Sequence, residues 1–207
     1  MGTRASRRKL ATEETRRLIL AAARELYTER GFKDVPVREL AAKAGVAEGT
    51  IFAHFPDKAS LLAAAVLSEV NSALAGIFAA LPEDVSCRVK LLYIARSLYA
   101  FYGQRPDLWR AYIKETLFLA GEWGLHIAAS VEQFIGYVGS LIETEKEAGK
   151  YDPGVDSKTA ARTYFAAYFF ELLAGLNAPE FNLETMCANL TRFIDQWEAG
   201  LLAQRHK

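Results

Sequence analysis

The sequence holds few side chains whose type and spacing could do covalent or metal chemistry. Its three histidines, His54, His126 and His206, are scattered, and neither cysteine lies close to any of them. The serine-nucleophile, phosphate-loop and dinucleotide-binding motifs of common enzymes are missing from the sequence. Glu122 and His126 stand four residues apart on a predicted helix, but two ligands do not make a metal site. The sequence therefore predicts no catalytic residue, no metal and no cofactor, and a small helical enzyme is the weakest reading.

The other chemistry that the sequence suggests is non-covalent, and its signals lie in residues 37–58. Four apolar residues spaced along one face predict a short first helix: Val37, Leu40, Ala41 and Ala44. Gly45 ends this helix, because glycine takes a positive φ without steric cost. A second short helix is predicted from about Ala47 to His54. Two short helices joined by a glycine turn are typical of a helix-turn-helix, whose second helix enters the major groove.

The same stretch resembles the DNA-binding signature of the TetR family of transcriptional repressors. The matching residues are Ala44-Gly45-Val46, Gly49-Thr50, Phe52-Ala53-His54-Phe55 and Lys58, and the motif covers roughly residues 12–65. The remainder of the chain is similar to the family only in its length and helical pattern. The resemblance implies a homodimeric DNA-binding regulator.

Three positions depart from the family pattern, and all three lose a hydroxyl group. Val35-Pro36 precedes the first of these helices, where the family often has serine or threonine, and Ala47 and Phe52 stand where it usually has serine and tyrosine. Such hydroxyls commonly reach phosphates or cap a helix. Their absence keeps an alternative open, in which the N-terminal surface of a non-enzymatic helical module binds protein instead of DNA.

The predicted DNA contacts divide into two groups. Thr50, His54 and Lys58 are expected to contact phosphates, while Arg38 and the Glu48–Phe52 segment, including Gly49, should lie nearest the bases or the groove rim. Arg38 is the strongest candidate for a base contact, because the guanidinium fork matches the edge of guanine. A solvated helix charge is the open alternative for Arg38.

Charge is distributed unevenly in a chain whose net charge is zero. Residues 1–58 hold 12 lysines and arginines against 8 acidic residues, a net charge of +4, and residues 59–207 hold 13 against 17, a net charge of −4. A positive end suits contact with phosphates. A helix is predicted to begin near Thr12, and four basic residues precede it: Arg4, Arg7, Arg8 and Lys9. They form either a disordered tail or an arm that contacts phosphates or the minor groove.

Composition and periodicity predict an all-α globular protein. Hydrophobic residues make up 51% of the 207 residues, and helical stripes continue to the end of the chain without a strand pattern. Cys87 and Cys187 are expected to be free thiols. The longest uncharged run, Val70 to Pro82, is 13 residues, shorter than the ~20 that a membrane span needs, so the sequence predicts a cytoplasmic protein without membrane contact.

Two domains are predicted: a three-helix helix-turn-helix domain over residues 1–58, and a larger helical domain for ligand binding and dimerisation over residues 59–207. A continuous helix from Lys58 to about Leu81 joins them. The segment Tyr164–Leu176 is apolar nearly all round, and the stripe of the last helix, from Leu183, would leave an apolar patch beside it. The predicted dimer interface comprises Phe169, Leu172, Leu176, Leu190, Phe193 and Trp197.

Aromatic residues are concentrated after residue 58, where tyrosine and tryptophan are more frequent than a dry core prefers. The sequence therefore predicts that a small-molecule inducer, apolar or aromatic, binds in this part of the chain. The predicted walls are Phe101, Tyr102, Trp109, Tyr112, Phe118, Trp123 and Tyr168, and the predicted polar groups are Glu115, His126 and Glu171. Glu171 could instead form a salt bridge at the dimer interface, and both readings stay open.

Overall fold

The computed structural model describes residues 4–202, with side chains from residue 8 onward, and this part of the chain is all helical apart from its connections. One isolated β-bridge joins Tyr151 to Leu202. The nine described α-helices are α1 (Arg4–Arg30), α2 (Val37–Ala44), α3 (Glu48–His54), α4 (Lys58–Ala79), α5 (Cys87–Gly103), α6 (Pro106–Thr116), α7 (Gly121–Glu147), α8 (Ser157–Asn177) and α9 (Leu183–Ala199). The predicted all-α class, with an N-terminal helix-turn-helix and a larger helical part after it, is confirmed.

The first compact unit, called the N-terminal unit below, comprises the residues up to Asn71 together with Asp107–Ile127. It contains α1 to α3, the first part of α4, α6 and the first turns of α7. Its core is built from helical stripes that bury Ile19 and Tyr27 of α1, Leu40 of α2 and Ile51 of α3. A hydrogen bond also connects α1 to α4, because the Nε of Arg24 donates to the carbonyl oxygen of Ala65 at 2.9 Å.

The second compact unit, called the C-terminal unit, comprises residues 72–106 and those from Ala128 onward. Within it α9 packs against both α5 and α8. Helices α8 and α9 are close at Gly175, where an added Cβ would lie 2.3 Å from the sulfur of Met186 and would displace the flexible end of that side chain. The domain boundary expected after residue 58 stays a prediction. Residues 107–127 group with the helix-turn-helix, and α4 and α7 each contribute to both units.

Helix α1 begins well before Thr12, although the sequence predicts its start near that residue. The hydroxyl of Thr12 donates to the carbonyl oxygen of Arg8 at 3.0 Å, and that of Thr15 donates to Ala11 at 2.9 Å. Such bonds to the residue four positions earlier are those of threonine inside a helix, not of a helix cap. Arg8 and Lys9 are therefore exposed residues of α1, and the expected arm or tail before the first helix is wrong for residues 4–9.

Cys87 and Cys187 are free thiols, as predicted, and burial raises the pKa of Cys87 to about 12, which keeps that thiol protonated and unreactive.

Helices α4 and α7 are long and apolar enough to cross a membrane by length and composition alone. Core helices of soluble proteins meet the same criterion, so the expected absence of membrane contact stays a prediction.

Candidate nucleic-acid interface

The turn between α2 and α3 has the geometry that Gly45 was expected to provide. Gly45 adopts a left-handed conformation with φ 69° and ψ 30°, which closes α2 without a Cβ clash. The N–H of Val46 then donates to the carbonyl oxygen of Ala41 at 3.0 Å. Leu40, Ala44 and Ile51 are buried below this turn, so the angle between the two helices is set by apolar contact.

Helix α3 turns one face into the core and leaves another face free. Ile51 is buried, and Phe55, directly after the helix, is buried with it. Glu48, Gly49 and Ala53 are exposed, and the apolar ring of Phe52 is 48% exposed. Thr50 and His54 are partly exposed at the edge of this face. An exposed face on the second helix of a helix-turn-helix is the surface that can enter the major groove.

Neither α2 nor α3 has a side-chain cap at its start. Pro36 and Ala47 occupy the N-cap positions in extended conformations, and no side chain there accepts a hydrogen bond from the first turn. This is the structural consequence of the hydroxyl groups missing from the sequence. The first N–H groups of both helices must find partners in solvent or in a bound molecule. Helix α4 differs, because Asp57 accepts a hydrogen bond from the N–H of Ser60 at 2.6 Å.

Basic side chains around the two helices differ in how far they are already engaged. Two ion pairs connect α1 to α2: Arg30 pairs with Glu39, and Lys43 pairs with Glu25. Arg38 is exposed and forms no ion pair with another described residue. Arg38 is therefore the cation of α2 most available to an external anion.

Lys58 is held within the protein more than the sequence suggested. Its ammonium donates a 2.7 Å hydrogen bond to the carbonyl oxygen of Phe32 and lies 4.3 Å from the centre of the Phe32 ring. Partial burial lowers the pKa of Lys58, while the charges of Glu115 and Asp34 act in the opposite direction. An ammonium has three N–H donors, so two remain for a phosphate. The expected phosphate contact of Lys58 stays a prediction.

The residues predicted to bind a ligand divide between the two compact units. Phe101, Tyr102, Tyr168 and Glu171 belong to the C-terminal unit, and the other six, namely Trp109, Tyr112, Glu115, Phe118, Trp123 and His126, belong to the N-terminal unit. Whether these residues share one ligand site stays a prediction.

Two pairs of rings lie close together in the N-terminal unit. The rings of Trp109 and Tyr112 meet edge to face with their centres 5.8 Å apart, and the ring centres of Trp123 and His126 are 5.2 Å apart. His126 also lies 3.6 Å from the carboxylate of Glu122, one helical turn before it. Phe118 is 92% exposed, so its side chain lies on the surface of this unit, against its expected place in a pocket wall. Phe118 lies in the short connection between α6 and α7, where the chain runs over the surface of the unit.

In the C-terminal unit, the aromatic residues fill a core with their hydroxyls already engaged. Tyr99 donates to the carbonyl oxygen of Tyr168 at 2.9 Å, and Tyr164 donates to that of Leu91 at 2.8 Å. Burial raises the pKa of Tyr102 to about 12. Glu171 accepts a hydrogen bond from Asn189 of α9 at 3.2 Å and lies at the surface of α8.

The predicted interface residues fall into two groups of opposite exposure. Leu172, Leu176 and Leu190 are only 2%, 2% and 0% exposed within a single chain, so they pack into the subunit's own core and leave no surface for a partner. For these three the expected interface role is wrong. The other three, Phe169, Phe193 and Trp197, remain partly exposed. A groove of about 400 Å³ runs along α8 and α9, lined by Thr163, Ala166, Ala167, Phe170, Glu171 and Phe193.

Sequence reasoning missed Arg16 altogether. Its guanidinium carbon lies 5.2 Å from the centres of two rings, those of Phe55 and Trp123. This contact has no signal in the sequence, since Arg16 is one of several charged residues on the outer side of a predicted helix and its partners come from distant segments. His206 lies outside the described residues.

The glycine turn, the buried Ile51 and the exposed face of α3 define a helix-turn-helix, an element whose second helix can enter a DNA major groove. Residues 19–65 match the family model described as bacterial regulatory proteins, tetR family. Residues 19–65 are therefore similar to the N-terminal segment of that family, and the resemblance noted from the motif is confirmed. The chain as a whole has the fold of the TetR-family regulators.

Solved structures with this fold match over most of the chain. The TetR-family repressor FadR of Thermus thermophilus, in complex with lauroyl-CoA, is 20% identical, with 92% of this chain and 97% of that chain covered and a TM-score of 0.72. FadR of Bacillus subtilis, in complex with stearoyl-CoA, is 18% identical over 89% and 98% of the two chains, with a TM-score of 0.69. A regulator from Saccharomonospora viridis, in complex with choline, is 22% identical over 93% and 100%, with a TM-score of 0.68.

Proposed function

We propose that the protein is a cytoplasmic, non-enzymatic repressor that binds a palindromic operator as a homodimer and is released by a small apolar or aromatic inducer. The observation that carries the DNA-binding part is the exposed face of α3, held on a buried helix-turn-helix core. Two such helices in a two-fold dimer read successive major grooves when they lie roughly 34–36 Å apart or a multiple of that distance. An imperfect palindrome is the operator that matches this symmetry.

The roles of the DNA-binding residues follow their exposure. Arg38 is free to reach a guanine edge, and Glu48, Gly49 and Phe52 form the face that meets the groove. Thr50 and His54, at the edge of this face, contact the phosphate backbone. Lys58 adds a phosphate contact with the donors that Phe32 leaves free.

The dimer forms through the outer faces of α8 and α9. Phe170 is 65% exposed beside the groove that contains Phe193 and Glu171, and a solvent-exposed phenylalanine next to an apolar groove suits a two-fold contact with a second copy. Glu171 belongs to this surface, which favours the interface reading over the ligand reading for this carboxylate.

The inducer is proposed to be largely apolar. The predicted aromatic residues of each unit, Phe118 apart, are separate candidates for its walls. Two of the structural neighbours are complexes with acyl-CoA and one is a complex with choline, which makes a fatty acyl-CoA and a quaternary ammonium the first two ligands to test. A ligand regulates DNA binding only if it favours one dimer geometry over another.

Calorimetry tests whether a ligand regulates DNA binding. The affinity of lauroyl-CoA, and separately of choline, is measured with and without a duplex selected by the protein from random DNA. Coupling of ~1–3 kcal/mol would make the ligand bind roughly 5–150-fold more weakly in the presence of the duplex, because linkage is reciprocal. Equal affinities in both titrations would show that the ligand does not regulate DNA binding.

A further inference from the structure

Arg16, near the middle of α1, contacts two aromatic rings from different parts of the N-terminal unit. The centres of the Phe55 and Trp123 rings each lie 5.2 Å from its guanidinium carbon, and the two ring centres are 6.3 Å apart at a tilt of 38°. Both distances are within the ~6 Å at which a guanidinium is attracted to an aromatic face. Arg16 forms no ion pair with the other described residues, so the rings are the partners that the structure gives it.

The two rings belong to segments with different tasks. Phe55 directly follows the recognition helix α3 and is fixed to it, because its N–H donates to the carbonyl oxygen of Ile51 at 2.8 Å. Trp123 lies in the first turn of α7, within the segment Asp107–Ile127 that forms one compact unit with the helix-turn-helix. The carboxyl end of α3 is thus in ring contact with the start of α7.

We propose that Arg16 and Trp123 are positioning residues for the recognition helix. The guanidinium of Arg16 holds the Trp123 ring beside Phe55, and the start of α7 thereby fixes the angle at which α3 is presented to DNA. This assignment rests on the proposed function, since it presupposes that α3 reads DNA. A ligand or partner that displaced residues 121–127 would act on the recognition helix through Trp123.

A different role for Arg16, a direct phosphate contact, makes different predictions. Losing a phosphate contact weakens binding to all DNA sequences and lowers the magnitude of the salt slope by about one unit. Losing a positioning contact weakens binding mainly to the sequence that needs the correct angle, and it leaves the salt slope unchanged.

The variants are Trp123→Leu, Arg16→Gln and their combination, with Trp123→Phe as the conservative replacement that keeps a ring. Arg17→Gln is the matched control, because Arg17 is the next residue, is exposed and pairs with Glu14 on the same helix. The probes are a palindromic duplex selected from random DNA by the wild-type protein and an unrelated duplex of equal length. Binding is measured over a range of salt concentrations, and thermal unfolding of each variant is recorded alongside.

Trp123→Leu and Arg16→Gln are each expected to weaken binding to the selected duplex roughly fivefold, with unrelated DNA unaffected, as expected for the loss of a partly desolvated cation–π contact. The double variant should lose no more than either single variant, Trp123→Phe should retain most of the affinity, and Arg17→Gln should leave the ratio between the two duplexes unchanged. A drop that matches lowered thermal stability on both duplexes would instead show a merely structural role and overturn the assignment.

Two further results would also overturn it. Wild-type ratios in both single variants would remove the positioning role while leaving the proposed function intact, and a flattened salt slope in Arg16→Gln alone would make Arg16 a phosphate contact. A wild-type protein that binds neither duplex would contradict the proposed function itself.

Discussion

Lys58 and Phe32 are joined twice, by the 2.7 Å hydrogen bond from the Lys58 ammonium to the Phe32 carbonyl and by the 4.3 Å approach of the same ammonium to the Phe32 ring. Lys58 opens α4, while Phe32 lies between α1 and α2 and packs on Tyr27 in the core. The lysine that the motif assigns to a phosphate thus also fixes the first turn of α4 to the helix-turn-helix.

Replacing Lys58 by alanine is therefore expected to affect folding and DNA binding together. The Phe32 carbonyl loses a charged donor, which should lower the free energy of unfolding by roughly 1–2 kcal/mol in a urea titration. The magnitude of the salt slope of DNA binding should fall by about one unit. Lys33→Ala, at an exposed neighbouring lysine, is the control and should leave stability unchanged. Full stability in Lys58→Ala would show that the contact with Phe32 does not support the fold.

The helix-turn-helix could be predicted because its signals are local. Gly45 marks the turn, and the spacing of Leu40, Ala44 and Ile51 assigns the buried faces within one short stretch. The start of α1 could not be placed, because threonine is favoured at helix N-caps but also occurs inside helices. Only the hydrogen bond from the Thr12 hydroxyl to the Arg8 carbonyl distinguishes the two positions.

Contacts between distant segments could not be predicted from the sequence. An apolar residue in a helix such as α8 can face its own core or a partner, and the pattern does not say which. Leu172 is buried and Phe170 is exposed although both lie in one apolar run. For the same reason an aromatic residue such as Phe118 was expected in a pocket wall and lies on the surface, and the contact of Arg16 with Trp123 gave no sequence signal.

The dimer surface can be tested with Phe170→Glu and Phe193→Glu. Each variant would bury an unpaired carboxylate between two copies, which makes the free energy of association less favourable than with the wild-type phenylalanine. Sedimentation at micromolar concentration should show a dimer for the wild type and monomers for both variants. Leu125→Glu, at an exposed leucine of the N-terminal unit, is the control and should stay dimeric. A wild-type protein that sediments as a monomer would remove the basis for the proposed interface.

The buried hydroxyl of Tyr27 has no hydrogen-bond partner among the described residues. Burial raises its pKa, so it stays protonated, and an unsatisfied buried hydroxyl costs roughly 1–3 kcal/mol. Tyr27→Phe keeps the edge-to-face contact with Phe32 at 5.4 Å and should raise the free energy of unfolding or leave it unchanged. Destabilisation by more than about 1 kcal/mol would mean that the hydroxyl makes a stabilising hydrogen bond.

Asp156 gives a pH-dependent contribution at the start of α8. Its carboxylate accepts from the N–H groups of Lys158 at 3.0 Å and Thr159 at 3.1 Å, and the bond from Thr159 is the main cause of its lowered pKa. Since the folded pKa lies below the ordinary value of 3.8, this stabilisation is fully present above that value and is lost as the pH falls through the folded pKa.

The comparison that checks this is between the wild type and Asp156→Asn, which keeps an acceptor oxygen but no charge. The wild type should have the higher unfolding midpoint at neutral pH, and the difference should shrink as the pH falls below 3.8. A difference that is constant with pH would exclude ionisation of Asp156 as its source.

The most direct test of the central claim is the salt dependence of binding between the wild-type protein and a duplex that it selects from random DNA. If the exposed face of α3 docks in the major groove, the selected sequence should be an imperfect palindrome. The logarithm of affinity should then fall linearly with the logarithm of salt concentration, with a slope of roughly −4 if four phosphates are neutralised. Failure to select any sequence, or an affinity that does not change with salt, would contradict DNA recognition and favour a protein partner for this surface.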